Sequence, residues 1–190
     1  SLSGRLDQIK PKIASDNLNL ARHIIGLIMN EIPFQKKYIS RNEFSYLEQY
    51  LSPELNPRGF DFREECLTLL QIITSSHQIH LTSSCTSSLD LAALLSDLKP
   101  NDEVIMPSFT FSSTANAVAL RGAKPVFVDV KNDTLNIDEN LIENALTHKT
   151  RAIIAVHYAG ISCNMTSLLS LAKKYKLRII EDAAQGLGAT

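Results

Sequence analysis

The sequence predicts an α/β protein built on a mainly parallel sheet that helices cover on both faces. From residue 78 onward, short apolar runs alternate with amphipathic segments of about ten residues, a pattern typical of repeated βαβ units. The run "RAIIAVHY" is almost continuously apolar, as expected for a parallel strand that is buried on both faces. A helical and irregular segment precedes this α/β region.

Five strands are predicted from short runs of apolar and β-branched residues. Pro107 closes the second run, because proline has no amide hydrogen to donate to a neighbouring strand. In chain order the predicted strands are "QIHLTSS", "DEVIMPS", "KPVFVDV", "RAIIAVHY" and "LRIIED".

Four helices are predicted in the gaps between these strands. Asp138 and Asn164 stand directly before two of them, where their side chains can accept hydrogen bonds from the free amides of the first turn. The predicted helices cover residues 86–97, about 111–121, "ENLIENAL" and "MTSLLSLAKKY".

The first 77 residues have a less regular pattern. "NLARHIIGLIM" and "FREECLTLLQIIT" indicate amphipathic helices, and "LSPELNPRGF", with two prolines and a glycine, indicates a loop. We expect three parts: residues 1–28 as an extension or upstream sequence, 29–77 as a helical and irregular segment, and 78–190 as the first part of the α/β domain. Because the sequence starts without Met and stops just after a predicted strand, we expect a truncated chain.

Composition argues against several classes of function. The net charge of the 190 residues is −1, which gives no electrostatic reason to expect a nucleic acid or a membrane surface as partner. No apolar run approaches the roughly 18 residues of a membrane span, and no segment of the 190 residues resembles a secretory signal with its cleavage site. The three cysteines and five histidines form neither a disulfide framework nor a metal-ligand motif. We therefore expect a cytoplasmic protein with reduced thiols and no metal site.

The stretch "LTSSCTSSLDLAALL" places many hydroxyl groups where a predicted strand turns into a helix. A helix N-terminus exposes free amides and the positive end of the helix dipole, so it can bind a phosphate group. Thr86, Ser87 and Ser88 stand at this helix start and can add hydroxyl donors. Simple capping of the helix by Ser or Thr is the alternative interpretation, and it is common.

Two further strand ends carry candidate residues. Glu181 and Asp182 end an apolar strand, so their side chains point to opposite faces, and a buried carboxylate needs a cationic or hydrogen-bonding partner. A protonated ring nitrogen of a cofactor would serve, although a helix cap or a supporting acid is the alternative. Phe109 and Phe111 follow Pro107, where an aromatic ring can either stack on a planar ligand or join the core.

In open α/β sheets, ligands bind at the carboxyl ends of the strands. A phosphate site, a stacking ring and a buried acid at those ends together indicate a phosphorylated pyridine, which is pyridoxal 5'-phosphate. The acid would keep the ring nitrogen protonated, so that the ring can accept electrons.

Five segments carry a resemblance to a known family. They are "LTSSCTSSLDLAALL", "NDEVIMPSFTFSSTANAVALRGAKPVFVDV", "TLNIDENLIENAL", "TRAIIAVHYAG" and "IIEDAAQGLGAT". Together they resemble the DegT/DnrJ/EryC1/StrS sugar aminotransferases, which are fold-type I pyridoxal-phosphate enzymes, over about residues 30–190. The resemblance implies the three-layer, mainly parallel sheet of the large domain of these transferases.

The resemblance also implies roles for particular residues. Thr86 and Ser87 would hold the cofactor phosphate, and Phe111 would stack on the ring. Asp182 would pair with the pyridine nitrogen, and Gln185 would bond the ring hydroxyl oxygen. His157 also matches the family, and we favour a structural role for it.

No catalytic residue is assigned in this chain, because the family's Schiff-base lysine is expected beyond Thr190. The 190 residues alone are therefore expected to be inactive.

The resemblance implies transfer of an amino group from L-glutamate to the 4-keto group of a nucleotide-linked 6-deoxyhexose of the dTDP type. It also implies that the enzyme is a homodimer and acts in cell-surface polysaccharide biosynthesis. Two alternatives stay open. One is a sugar dehydratase of the same superfamily, in which histidine replaces the lysine. The other is a non-catalytic nucleotide-binding module, suggested by "GLG" at 186–188 as a partial GxGxxG motif.

Overall fold

The computed structural model describes residues 39–52 and 61–188. The chain divides into two units, residues 1–60 and 61–190, and each is described by itself. In the first unit, helix α1 spans Glu43–Leu51, and the Glu43 carboxylate accepts from the Ser40 amide at its start at 2.7 Å. The predicted helix "NLARHIIGLIM" and residues 53–60 of the predicted loop lie outside the described residues.

The second unit alternates strands and helices along the chain. A short 3₁₀ turn, Tyr158–Gly160, follows the third strand. The helices are α2 (Phe62–Thr74), α3 (Cys85–Leu95), α4 (Ser112–Ala119), α5 (Glu139–Ala145) and α6 (Met165–Tyr175), and the strands are β1 (Glu103–Pro107), β2 (Lys124–Val128), β3 (Thr150–Val156) and β4 (Arg178–Asp182).

The four strands form one sheet in the order β2-β1-β3-β4, and every neighbouring pair is parallel. The predicted parallel α/β fold is thereby confirmed. The chain moves from β1 to β2 on one side and later to β3 on the other, so the direction of winding changes between β1 and β3. Asp182 pairs in register with Val156, which places it at the carboxyl end of β4.

The core consists of two layers, one on each face of the sheet. Because side chains alternate along a strand, Val104 and Met106 belong to one layer and Ile105 to the other. Helices α3 and α4 cover the first layer, and helices α5 and α6 cover the second. The helical members of the first layer are Leu89, Ala93, Ala117 and Val118, and those of the second are Ile142 and Leu168. The result is the expected three-layer arrangement.

The predicted helix caps are present. The Asp138 carboxylate accepts from the Asn140 amide at 3.0 Å, and the Asn164 side chain accepts from the Ser167 amide at 3.2 Å. Each satisfies a first-turn amide that has no acceptor inside the helix. Helix α2 coincides with the predicted segment "FREECLTLLQIIT".

The prediction of a strand at "QIHLTSS" is wrong. Residues 78–84 belong to no strand, and no strand of the described residues pairs with them. The alternation of Ile79 and Leu81 imitates a strand, but a strand also needs a neighbour for its ladder hydrogen bonds. Leu81 is 43% exposed, so the alternation does not mark a buried face. Within the described ranges, the helices are too short or too polar to span a bilayer.

The two adjacent leucines of α6 provide a test of the second core layer. Leu168 is fully buried, whereas Leu169 is 54% exposed. Leu168→Ala should lower the free energy of unfolding by about 2–5 kcal/mol, because it leaves a cavity. Leu169→Ala should change it by less than about 0.5 kcal/mol. Urea unfolding followed by circular dichroism measures both, and equal losses would contradict the assigned packing.

Candidate functional site

The candidate site lies at the carboxyl ends of β1, β3 and β4. The change of winding direction between β1 and β3 lies at this edge, and open α/β sheets bind ligands at such a position. The N-terminus of α3 reaches the same place, because the Cys85 thiol lies 3.7 Å from the Asp182 carboxylate. Helix α4 begins there too, since Thr114 in its first turn contacts Asp182.

Neutral groups from three different elements hold the Asp182 carboxylate. Its side chain is buried, and Oδ2 accepts from the Thr114 hydroxyl at 2.8 Å. Oδ1 accepts from the Ala184 amide at 3.3 Å and faces the Cys85 thiol. Since Thr114 has a single hydroxyl hydrogen and gives it to the carboxylate, Thr110 must be the donor in the 2.8 Å bond between the two threonines. A two-threonine chain therefore holds Oδ2, while the Ala184 amide holds Oδ1.

Asp182 has no cationic partner among the described residues. The ion pairs of residues 39–52 and 61–188 join other groups. Hydrogen bonds from neutral donors do not neutralise a buried carboxylate, and little water reaches it. A cationic ligand is therefore favoured beside it. Glu181 is exposed while Asp182 is buried, in agreement with the prediction that their side chains point to opposite faces.

The start of α3 combines a helix cap with free amides. The Ser84 hydroxyl accepts from the Ser87 amide at 3.1 Å, so the capping interpretation is correct for Ser84. The Cys85 and Thr86 amides have no hydrogen-bond acceptor within the described part of the chain. Thr86 is exposed, and the Ser87 hydroxyl contacts the hydroxyls of Ser83 and Ser84. Free amides and hydroxyls at a helix N-terminus suit an anion.

Cys85 is a site residue that the sequence interpretation missed. Burial raises the pKa of its thiol, and the Asp182 charge and hydrogen bond raise it further. The thiol therefore stays protonated and can direct its weak S–H donor at the carboxylate. Thr110 and Thr114 were also missed. In the sequence, the only indication of Thr114 is that a polar residue stands among the apolar residues of α4. In the structure its side chain is completely buried.

The structure places Phe111 at the mouth of the site and outside the core. It is the N-cap residue of α4 and is 75% exposed, and its carbonyl accepts from the Thr114 amide at 3.1 Å. Phe109 is 47% exposed, and its ring centroid lies 5.0 Å from that of Tyr158. Phe111 therefore keeps an exposed face on which a planar ring can stack.

The Gln185 side chain is hydrogen-bonded to the 3₁₀ turn that follows β3. Its Oε1 accepts from the Ala159 amide at 2.8 Å, which ties residues 183–188 to the 3₁₀ turn. Gln185 is exposed, and the described protein groups leave the two Nε2 hydrogens available for a ligand.

Both ring nitrogens of His157 are occupied by protein partners. Nδ1 accepts from the Cys163 amide at 3.1 Å, so the hydrogen of the neutral ring lies on Nε2 and is donated to Glu181 at 2.9 Å. The backbone amide of His157 also donates to the Asp182 carbonyl at 3.1 Å. These contacts support the structural role expected for His157, on the side of β4 opposite to the buried Asp182 side chain.

Comparison with known proteins identifies the family. A family model described as the DegT/DnrJ/EryC1/StrS aminotransferase family matches residues 64–190. The chain belongs to this family. The match includes the start of α3, both threonines and the Asp182–Gln185 turn.

Two curated relatives and one solved structure illustrate the likeness. The UDP-4-amino-4-deoxy-L-arabinose–oxoglutarate aminotransferase of Shewanella sediminis is 46% identical over 132 residues, which cover 70% of this chain and 33% of that protein. The spore coat polysaccharide biosynthesis protein SpsC of Bacillus subtilis is 34% identical over 159 residues, 84% of this chain and 41% of that protein. The crystal structure of NtdA from Bacillus subtilis with bound cofactor PMP has a TM-score of 0.74 at 34% identity, covering 84% of this chain and 37% of that one. The chain thus spans about a third to two fifths of the relatives' length.

The contact between Cys85 and Asp182 in this family member can be tested through thiol chemistry. Because the Asp182 charge disfavours the thiolate, Asp182→Asn should lower the pKa of Cys85. At mildly alkaline pH more thiolate is then present, so iodoacetamide should alkylate Cys85 severalfold faster in the variant.

The alkylation rate of each cysteine is followed over pH by mass spectrometry of the labelled peptides. Cys66 is exposed and serves as the internal control, since its rate should be the same in both proteins. An unchanged pH profile for Cys85 would show that the carboxylate does not act on the thiol.

Proposed function

We propose that the whole protein is a pyridoxal-phosphate-dependent aminotransferase that moves an amino group from L-glutamate to the 4-keto group of a nucleotide-linked 6-deoxyhexose. The observation that carries the proposal is the buried Asp182 carboxylate, which receives only neutral donors from the described residues and lies beside the hydroxyl-rich start of α3. The family membership supports aminotransfer. The name of the Shewanella relative supports the substrate class, since it pairs a nucleotide-linked amino sugar with oxoglutarate, the keto acid that glutamate becomes.

The described residues fit pyridoxal 5'-phosphate. The uncompensated charge of Asp182 suits a protonated pyridine nitrogen, and the free Cys85 and Thr86 amides suit a phosphate group. When bound, the cofactor supplies a ring that accepts the electron pair released at the amino-bearing carbon. Asp182 would hold the proton on the ring nitrogen, and Thr86 and Ser87 would bind the phosphate.

Two further side chains would orient the ring. Phe111 would cover one face of it and exclude water, because its own ring is exposed at the mouth of the site. Gln185 would donate from Nε2 to the ring hydroxyl oxygen, because its Oε1 is already occupied by the Ala159 amide.

None of the lysines at the end of α6 is proposed to react with the cofactor. Lys174 is bound to the Glu143 carboxylate, and that hydrogen bond, together with one to Tyr175, raises its pKa. Lys173 and Lys176 are exposed at the carboxyl end of α6. This end leads into the amino end of β4, at the sheet edge opposite to Asp182.

The setting of the reaction is also part of the proposal. We propose that the enzyme is cytoplasmic and acts in cell-surface polysaccharide biosynthesis as a homodimer. The name of SpsC, a spore coat polysaccharide biosynthesis protein, supports the pathway class.

Asp182→Asn in the whole protein tests this function. The amide cannot hold a proton on the ring nitrogen as a carboxylate does, so turnover should fall by about 100-fold or more. Formation of 2-oxoglutarate from L-glutamate, with a dTDP- or UDP-linked 4-keto-6-deoxyhexose as acceptor, measures the turnover. Asp133→Asn is the matched control, since Asp133 is exposed, and it should have the wild-type rate.

Three results would contradict the proposal. Near-normal turnover of folded Asp182→Asn would remove Asp182 from its role. Binding of NAD instead of pyridoxal phosphate by the wild-type protein would favour the nucleotide-binding alternative. Release of water from the keto sugar, giving a dehydrated product without an amino group, would identify a dehydratase.

A further inference from the structure

Asn136 is a buried polar residue that none of the roles above uses. It lies between β2 and α5 and is 3% exposed. Its Oδ1 accepts from the Tyr158 amide at 3.0 Å, and its Nδ2 donates to the Ile161 carbonyl at 2.9 Å. Because a backbone amide can only donate and a carbonyl can only accept, this orientation of the carboxamide is the one the partners require. One side chain therefore holds both ends of the 3₁₀ turn Tyr158–Gly160.

The turn that Asn136 holds has an unusual backbone. Ala159 has a φ of 53° and Gly160 a φ of 80°, and a positive φ is uncommon for a residue with a Cβ. A Cβ on Gly160 would lie 2.9 Å from the Gln185 carbonyl oxygen, so the turn and the Gln185 backbone are in close contact. The two hydrogen bonds of Asn136, which we call the clamp, therefore hold a turn of uncommon backbone conformation against Gln185.

The conformation of the turn determines the orientation of the Gln185 carboxamide. The Ala159 amide points at Gln185 and can only donate, so the atom 2.8 Å away must be Oε1. Nε2, which carries two hydrogens, is then directed away from the turn. A side chain fixed in this way can donate to an oxygen of a ligand but cannot accept from it.

We propose that Asn136 is a positioning residue for Gln185: by holding the Tyr158–Gly160 turn, it keeps Oε1 on the Ala159 amide and leaves Nε2 to donate to the cofactor's ring oxygen. The inference rests on the proposed function, because it assumes that Gln185 meets the pyridoxal-phosphate ring. Asn136 would not contact the ring itself and would act on it only through Gln185.

A double-mutant cycle on the whole protein tests the coupling. The affinity of the apoprotein for pyridoxal 5'-phosphate is measured by absorbance titration for wild type, Asn136→Ala, Gln185→Ala and the double variant. Each single variant should bind about tenfold more weakly, as expected for the loss of an oriented hydrogen bond to an oxyanion. In the Gln185→Ala background, Asn136→Ala should change the affinity by less than about twofold.

Asn132→Ala is the matched control, because Asn132 is exposed four positions earlier in the same segment, and it should bind like wild type. If Asn136→Ala weakens binding by the same factor in both backgrounds, Asn136 does not act through Gln185 and the inference is overturned. If the folded wild-type protein does not bind pyridoxal phosphate, the proposed function itself fails.

Hydrogen exchange keeps the inference testable should Asn136→Ala not fold. In the wild-type apoprotein, the Tyr158 and Ala159 amides should both be protected, because they donate to Asn136 and Gln185. Gln185→Ala should remove the protection of Ala159 and retain that of Tyr158. Rapid exchange of either amide in the wild type would overturn the inference.

Discussion

The buried charge of Asp182 is the constraint on which the site depends. Removing a carboxylate from water costs several kcal/mol, and hydrogen-bond donors must recover that loss. Here the donors come from the first turn of α4, the start of α3 and the turn after β4. These elements are far apart in sequence, since Thr114 is 68 residues and Cys85 97 residues from Asp182. Only the folded sheet brings them together, so a fully satisfied carboxylate requires the correct fold.

The strand order explains why the donors meet at this point. Because β1 and β4 lie on either side of β3, the connection after β1 delivers Thr110 and Thr114 to Asp182 at the end of β4. The connection after β3 delivers Ala159 to Gln185, three residues further along. Two loops therefore fix two side chains of one short turn, and both loops leave the sheet beside its change of winding direction. The candidate site is thus built from connections, while the strands supply its rigid base.

The parts of the fold that sequence could predict are those with local signals. Asp138 and Asn164 cap their helices as predicted because a cap involves residues only two or three positions apart. The opposite orientation of Glu181 and Asp182 follows directly from strand periodicity. The failed strand at residues 78–84 shows the limit, because alternation is local whereas pairing requires a distant partner. The bond from Thr114 to Asp182 and the clamp by Asn136 join residues 22 to 68 positions apart, and no local sequence pattern indicates such contacts.

The neutrality of the groups around Asp182 is itself informative. A lysine or arginine in this position would neutralise the carboxylate and remove its attraction for a cationic ligand. Hydroxyl, thiol and amide donors satisfy the lone pairs of the carboxylate but do not neutralise its charge. That charge contributes to the raised pKa of the Cys85 thiol, since it opposes formation of a second anion nearby. The same field favours a proton on a ring nitrogen placed against the carboxylate, because a protonated group is stabilised wherever an anion is disfavoured. Burial and the Asp182 charge together keep the Cys85 thiol protonated, and the same charge would favour the protonated form of a pyridine bound beside it.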